Sequence, residues 1–392
     1  MILEQHNMKE KFLLNSDIAY LNHGSYGACP KVIFQDYQNW QSKLEAEPVQ
    51  FLTKKYYDAL SVSKQALAEF IGCNKDDFFF LQNPTTAMNQ VVKSLPLQPG
   101  DEVLSTNHEY GAIDKTFDFY SRKKGFVCRR QNISLPLLSK EQFLDEFWKG
   151  YNERTKVVFL SHFTSTTALI FPVKEICQRA KELGLLTVID GAHVPGHIHL
   201  NLREVQPDYY TGTLHKWLLS PKGCSFLYVR NELQEKIEPL IVSWGYETDR
   251  PSKSKFLEEN EMQGTRDVSA FLTVPAIFRF FKENNMQQKQ SACRQTILEQ
   301  YPLFCELLNT TPLCKLSDEF LGQMCSIPIR PKDPFQLKEL LYNKYKIEIP
   351  VMKRGDETYL RISYQVYNTL DELEYLKQVI GYLLADRVLT EH

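Results

Sequence analysis

Between about residues 60 and 230, short and continuously apolar runs alternate with amphipathic stretches of helical period, and no other feature of this sequence restricts its fold as much. "FFFLQ" (78–82) precedes a helical stretch from Thr86, and "EVLST" (102–106) precedes another from Gly111. "VVFLSHF" (157–163) leads into "VKEICQRAKELG" (173–184), and "LLTVID" (185–190) into the loop "GAHVPGHIH". A strand that is apolar on both sides must be covered on both faces, and strands joined through helices return parallel. The pattern therefore predicts an α/β fold: a large domain whose mostly parallel central sheet is flanked by helices. In such sheets ligands bind beyond the carboxyl ends of the strands.

Residues 245–268, "GYETDRPSKSKFLEENEMQGTRD" and its neighbour, are polar and read as the connection out of that domain. A helical region from about 268 to 300 follows, then the strand "MCSIPIR" (324–330), the helix "DPFQLKELLYNKY", the strand "YLRISYQV" (359–366) and a last helix. This predicts a smaller C-terminal α/β domain. With 392 residues the chain buries a sizeable core without disulfides. Lys and Arg number 46 against 48 Asp and Glu, so nothing electrostatic calls for nucleic acid or an anionic membrane. Apolar runs are far shorter than a membrane span, and charges interrupt every apolar patch of the first 24 residues, unlike a secretory signal. The nine cysteines are scattered singly, with no CxxC pair, which predicts reduced, packed thiols. The expectation is a soluble, cytoplasmic protein, with nuclear access left open.

Several chemically capable residues fall where predicted strands end. Asp190 ends "LLTVID" and Lys216 ends "YYTGTLH"; Thr85 and Thr86 open the helix after "FFFLQNP"; His108 and Tyr110 follow "EVLST"; Ser165 follows "VVFLSHFT". An amine, a carboxylate and a hydroxyl-rich helix start suggest pyridoxal 5'-phosphate, which needs a lysine for its aldehyde, an acid for its ring nitrogen and an anion site for its phosphate.

The stretch "VIDGAHVPGHIHLNLREVQPDYYTGTLHKWLLSPKGCSFLYVR" resembles the cofactor-binding core of fold-type I pyridoxal phosphate enzymes, in the class V aminotransferase superfamily that includes cysteine desulfurases and isopenicillin N epimerase. "YLNHGSYGACP", "NPTTA", "QGTRD" and "LRISYQVYNT" extend the resemblance over nearly the whole chain. It implies that Lys216 is the Schiff-base lysine and proton shuttle, that Asp190 pairs with the pyridine nitrogen, and that His193 contacts the cofactor ring. It further implies phosphate contacts from Thr86, Thr213 and His215, with Thr85 a lesser candidate, and ring stacking by His108 or else Tyr110, which could instead act as an acid. By the same resemblance Thr265 reaches the phosphate of a neighbouring subunit's cofactor, implying a homodimer with shared active sites. Arg361 would grip the substrate carboxylate with its two-pronged guanidinium, and Asn22 and His23 would fold over the substrate. The implied division is an N-terminal segment over the site (1–23), the large cofactor-binding domain (24–260) and the small domain (261–392).

Departures narrow the reading. Cysteine desulfurases need a nucleophilic cysteine shortly before the carboxylate-binding arginine, and "IEIPVMKRGDETYLRISY" has none. Ser165 stands where such enzymes carry an asparagine. That pattern resembles the isopenicillin N epimerase-like branch, which includes carbon–sulfur lyases; the expected activity is cleavage of an S-substituted cysteine, with an epimerase, a cysteine desulfhydrase or an aminotransferase as alternatives. A metal hydrolase built on Asp190, His193, His197 and His199 is disfavoured, because Pro195 and Gly196 break the helical spacing that a zinc HExxH site uses.

Overall fold

The structure is a computed structural model and describes residues 8–248 and 254–390. Its strands are β1 (Ala19–Tyr20), β2 (Phe78–Leu81), β3 (Glu102–Thr106), β4 (Val127–Gln131), β5 (Thr155–Ser161), β6 (Leu186–Gly191), β7 (Tyr209–Thr213), β8 (Ser225–Val229), β9 (Met324–Pro331), β10 (Ile347–Glu348), β11 (Val351–Arg354), β12 (Glu357–Ser363) and β13 (Leu389–Thr390). Seven of them form the central sheet in the order β2-β8-β7-β6-β5-β3-β4. The pairs from β4 through β7 are parallel, whereas β8 runs antiparallel to both its neighbours. The fold is thus that of a fold-type I enzyme: a mostly parallel sheet with helices, followed by an antiparallel C-terminal sheet in the order β11-β12-β9-β13.

The burial explains the sequence pattern. Every residue of β3 and β7 is buried, because helices such as Pro84–Ser94 and Val173–Glu182 cover the sheet. The edge strand β4, "VCRRQ", leaves that rule and was not legible as a strand; its residues are exposed or half-buried. Half of its ladder faces solvent, so apolar side chains gain little there.

The polar connection differs from expectation. Residues 249–253 lie outside the described residues, but Lys255–Glu261 is a helix capped by the Ser254 hydroxyl, and it turns back onto the large domain. Phe256 packs edge-on against Phe79 of β2 with ring centroids 5.4 Å apart. One apolar anchor every turn was masked in the sequence by the glutamates around it. The expected helical region from 268 to 300 is three helices, Ser269–Leu272, Val274–Glu283 and Met286–Leu307.

Long-range pairing brings the N-terminal segment and the C-terminal domain together at the sheet's carboxyl edge. β1 pairs parallel with β10, and Asn22 bridges to Ser363 at the end of β12. The segment 22–27 is thereby laid across the loop that follows β7.

Candidate active site

A cleft of about 310 Å³ opens at the carboxyl ends of β5, β6 and β7 and is closed on one side by the C-terminal sheet. Asp190, near the end of β6, and Thr213, at the end of β7, form its floor; Lys216 enters three residues later. Gly27 allows segment 22–27 to close over that lysine: its φ is +68°, and a Cβ there would sit 2.0 Å from the carbonyl oxygen of His215. Any side chain would lift the segment off the site.

Lys216 Nζ lies 3.2 Å from His193 Nε2. Burial pushes the Lys216 amine down to about 7, the Arg361 guanidinium adds to the depression, and Asp190 opposes it. The same burial raises Asp190, the one carboxyl group among the described residues lining the cleft, against the pull of the Ala192 N–H and Lys216. One Asp190 oxygen accepts that N–H at 2.9 Å. The backbone N–H of His162 bonds the Asp190 carbonyl at 2.8 Å and so fixes β6 against β5 at this point.

The helix Pro84–Ser94 starts at the cleft. Asn83 caps it by accepting the Thr86 N–H at 2.9 Å, and the Thr86 hydroxyl also turns to Asn83, at 3.1 Å. Thr86 is thus engaged behind the wall, and Thr85 lines it. On the opposite side the Thr213 hydroxyl is buried without a partner among the described residues. His215 gives its Nδ1 proton to the Cys224 carbonyl at 3.1 Å, which leaves Nε2 free; burial and then Lys216 lower its pKa to about 4.

Arg361 is 1% exposed on β12 and reaches into the cleft from the C-terminal sheet. It donates to the Ser165 carbonyl at 2.7 Å, to the Ser165 hydroxyl at 3.1 Å and to the Ser25 hydroxyl at 2.9 Å. Burial brings its pKa down to about 10, so the group stays charged at neutral pH.

Besides Thr86, four expected residues stand outside the wall. His108 is 1% exposed and does not face the cleft: its ring lies 3.0 Å from the Thr167 hydroxyl, 3.0 Å from the Ile133 carbonyl and 2.9 Å from the Arg354 guanidinium. Two residues on, the chain turns outward into the helix Gly111–Lys124, and of the two candidates it is Tyr110, 45% exposed, that lines the cleft. Asn22 and His23 are buried behind the wall. Asn22 accepts the Ser25 hydroxyl at 2.5 Å and so acts on Arg361 only through Ser25. His23 lies between the Tyr367 hydroxyl, at 2.8 Å, and the Lys216 carbonyl, at 3.0 Å. Thr265 is exposed and does not line this cleft.

Residues the sequence reading passed over are Ser25, Tyr26, Ser161, Phe163 and Met352, all in the wall. Ser25 and Tyr26 were within the quoted "YLNHGSYG", whereas Met352 had no local signal, since it is brought in by β11. Glu109 is buried beneath the site, where it accepts the Ser161 hydroxyl at 2.7 Å and the Thr106 hydroxyl at 2.6 Å. No cysteine lines the cleft, and no group of three or more His, Cys, Asp or Glu residues among the described residues is placed to hold a metal ion.

These groups fit pyridoxal 5'-phosphate. The site has a depressed amine for its aldehyde, a single buried acid for its ring nitrogen, and an unsatisfied buried hydroxyl opposite a helix start for its phosphate. Comparison with known proteins agrees. The isopenicillin N epimerase of Streptomyces clavuligerus is 31% identical over 389 residues, covering 96% of this chain and 97% of its own. The hercynylcysteine sulfoxide lyase of Schizosaccharomyces pombe is 24% identical, covering 96% of each chain. A cysteine desulfurase from Thermococcus onnurineus superposes with a TM-score of 0.83 at 19% identity, over 97% of this chain and 98% of that one, a likeness of fold. The profile of the family described as Aminotransferase class-V matches residues 20–376, and the chain belongs to that family.

Proposed function

We propose that this protein is a carbon–sulfur lyase acting on an S-substituted cysteine, with hercynylcysteine sulfoxide, a substrate of ergothioneine biosynthesis, as the preferred case. Lys216, Asp190, His193, Thr85, Thr213 and His215 hold pyridoxal 5'-phosphate in this reading, with Thr86 supporting the helix start and Ser165 orienting Arg361. When bound, the cofactor supplies a sink for the electron pair left on the substrate's α-carbon.

The remaining work falls to the chain's own side chains. Arg361 takes the α-carboxylate on its guanidinium and fixes which bond faces Lys216. Lys216, whose pKa is lowered to about 7 so that a large share of the amine is uncharged near neutral pH, removes the α-proton with its free electron pair. Asp190 would stabilise a proton on the ring nitrogen by its opposite charge. The Cβ–S bond then breaks with its electrons leaving on sulfur, and Tyr110 stands in the cleft to give that sulfur group a proton. Hydrolysis of the unsaturated product yields pyruvate and ammonia, with a sulfenic acid as the other fragment when the substrate is a sulfoxide.

The observation that carries this reading is the inventory of the cleft: one amine, the phenols of Tyr26 and Tyr110, and no thiol. Elimination needs a base on one face only. Racemisation needs proton carriers on two faces, and His193 is bonded to Lys216 itself. Absence of a cleft thiol works against a persulfide-forming desulfurase. The fission-yeast lyase supports the sulfoxide substrate by its end-to-end match. An epimerase is the second reading, because the isopenicillin N epimerase is the more identical relative, at 31% against 24%.

Purified protein loaded with the cofactor should release pyruvate from hercynylcysteine sulfoxide faster than from simpler S-substituted cysteines. Racemised amino acid without pyruvate would sink the lyase reading. Lys216→Ala should lose the visible band and any borohydride-trapped adduct; a wild-type protein that stays colourless with the cofactor would remove the basis of the whole proposal.

The division near residues 23 and 260 belongs to the same proposal, supported by the pairing of β1 with β10 and by the helix 255–261 lying on the large domain. So does a homodimer in which Thr265 reaches the neighbouring cofactor, supported by its exposure away from this chain's own cleft and testable by sedimentation. Cytoplasmic residence is supported by the nine free cysteines. No helix among the described residues is long and apolar enough to cross a membrane.

A further inference from the structure

Trp217, the residue after Lys216, is fully buried and stands in a column of rings behind the cleft. His197 stacks on it with centroids 3.7 Å apart and planes 15° from parallel, and His23 packs on it at 4.7 Å. Both histidines have their protons assigned by main-chain partners. His197 accepts the Gln323 N–H on Nε2 at 2.6 Å and gives its Nδ1 proton to the His193 carbonyl at 2.9 Å. His23 gives its Nε2 proton to the Lys216 carbonyl and accepts the Tyr367 hydroxyl on Nδ1. The column is therefore uncharged and leaves Trp217 one orientation.

In that orientation the indole N–H points at His193 Nδ1, 3.4 Å away. An indole nitrogen only donates, so Nδ1 must accept, and the proton of a neutral His193 must then lie on Nε2. Nε2 is the atom 3.2 Å from Lys216 Nζ. A proton already on Nε2 can be donated only to a lysine that has a free electron pair. An ammonium at Nζ would oppose an N–H to an N–H, unless His193 moved its proton to Nδ1 and broke with Trp217.

We infer that Trp217 is a positioning residue that sets the protonation state of Lys216: through the tautomer of His193, its N–H favours the neutral amine each time the lysine is free. The inference rests on the reading of Lys216 as the base, and gives a reason why a lysine can start each turnover without first losing a proton to solvent. The charged and titratable groups around the pair come from four elements: Asp190 from β6, Arg361 from β12, His23 from the N-terminal segment and His197 from the loop after β6. Arg361 also disfavours an ammonium and Asp190 favours one; Trp217 adds a directional contact to that balance.

The test uses cofactor-free protein, in which Lys216 is a free amine. Competitive acetylation across pH, read at the Lys216 peptide by mass spectrometry, gives its midpoint, expected near 7 in the wild type. Trp217→Phe retains a ring between His197 and His23 but has no N–H. Site-specific replacement of the indole by benzothiophene retains its shape as well, which covers the case in which the phenylalanine variant fails to fold. Either change should raise the midpoint by about one pH unit, the scale of one hydrogen bond. ¹⁵N NMR of labelled histidine should place the His193 proton on Nε2 in the wild type and redistribute it in the variants. A midpoint unmoved in the benzothiophene protein, or a wild-type His193 proton on Nδ1, overturns the inference. Cofactor binding by the wild type, read from its visible band, is scored separately, so a failure of the site reading is told apart from a failure of this one.

Discussion

Arg361 offers the sharpest quantitative test of the site. Its guanidinium is buried, already bonded to Ser165 and Ser25, and keeps one further N–H, at Nε, without a partner among the described residues. A substrate α-carboxylate meeting this fork gains two charge-assisted hydrogen bonds, each of about 1.5–3 kcal/mol. Arg361→Gln removes the charge and the fork and should cost about 4 kcal/mol in kcat/KM, close to three orders of magnitude. Arg361→Lys retains the charge as a point donor and should cost about 2 kcal/mol, roughly thirtyfold. The carboxylate is gripped before and during the reaction alike, so the loss should appear mainly as a raised KM. Steady-state ammonia release measures it, with an S-substituted cysteamine, which lacks the carboxylate and would yield acetaldehyde in place of pyruvate, as the companion substrate. Wild type should disfavour that amine by the same factor by which Arg361→Gln disfavours the amino acid, and the variant should hardly distinguish the two. If wild type consumes the amine analogue as well as the amino acid, or if Arg361→Lys leaves KM unchanged, the assignment of Arg361 is wrong.

Three further outcomes follow from the same geometry. Asp190→Asn should still bind the cofactor but lose roughly 10²-fold or more in α-proton exchange with deuterated solvent, measured by NMR, because the ring nitrogen loses its charged partner. Tyr110→Phe should lower pyruvate release by about 10²-fold while leaving that exchange near wild type, since the phenol acts after the α-proton is gone; equal losses in both would place Tyr110 earlier in the reaction. Stability of the cofactor-free protein should respond to Lys216→Met in a pH-dependent way. The folded pKa of Lys216 is depressed from 10.5 to about 7, so its unfavourable effect is absent above 10.5 and grows as pH falls towards 7, where the unfolded chain takes up a proton that the folded one refuses. Thermal melts should therefore show Lys216→Met stabilised relative to wild type at pH 7.5 and much less so at pH 10.5.

How much of this was legible beforehand depended on how local each signal was. β3 is recovered residue for residue at 102–106, because its apolar run is bounded by "PGD" and by polar residues within a few positions. β4 escaped notice because an edge strand with "CRR" in it has no two-sided burial to record. Lys216 and Asp190 were readable because each lies at or just beyond a strand end, and strand ends in a parallel sheet share one edge, whereas Thr213 came from the resemblance. His108 and Tyr110 could not be ranked from sequence. Two positions apart, they differ only in which side of a turn they leave, and packing of His108 against Thr167, Ile133 and Arg354 decides it. Ser25 and Met352 were missed for different reasons: Ser25 reaches the cleft beside the long-range pairing of β1 with β10, and Met352 lies on β11, a short strand paired in a local hairpin with β12.

The sequence alone thus determined the layered fold through its periodicity, while the family and the expected roles of Lys216 and Asp190 came from motifs that resemble those of class V aminotransferases. Only the tertiary structure decided which of His108 and Tyr110 lines the cleft, which hydroxyls hold Arg361, and that the Trp217 N–H meets a His193 ring whose other nitrogen lies beside Lys216. Those are contacts between side chains 23 to 336 positions apart in the chain, and the direction of a hydrogen bond is set by where both partners end up.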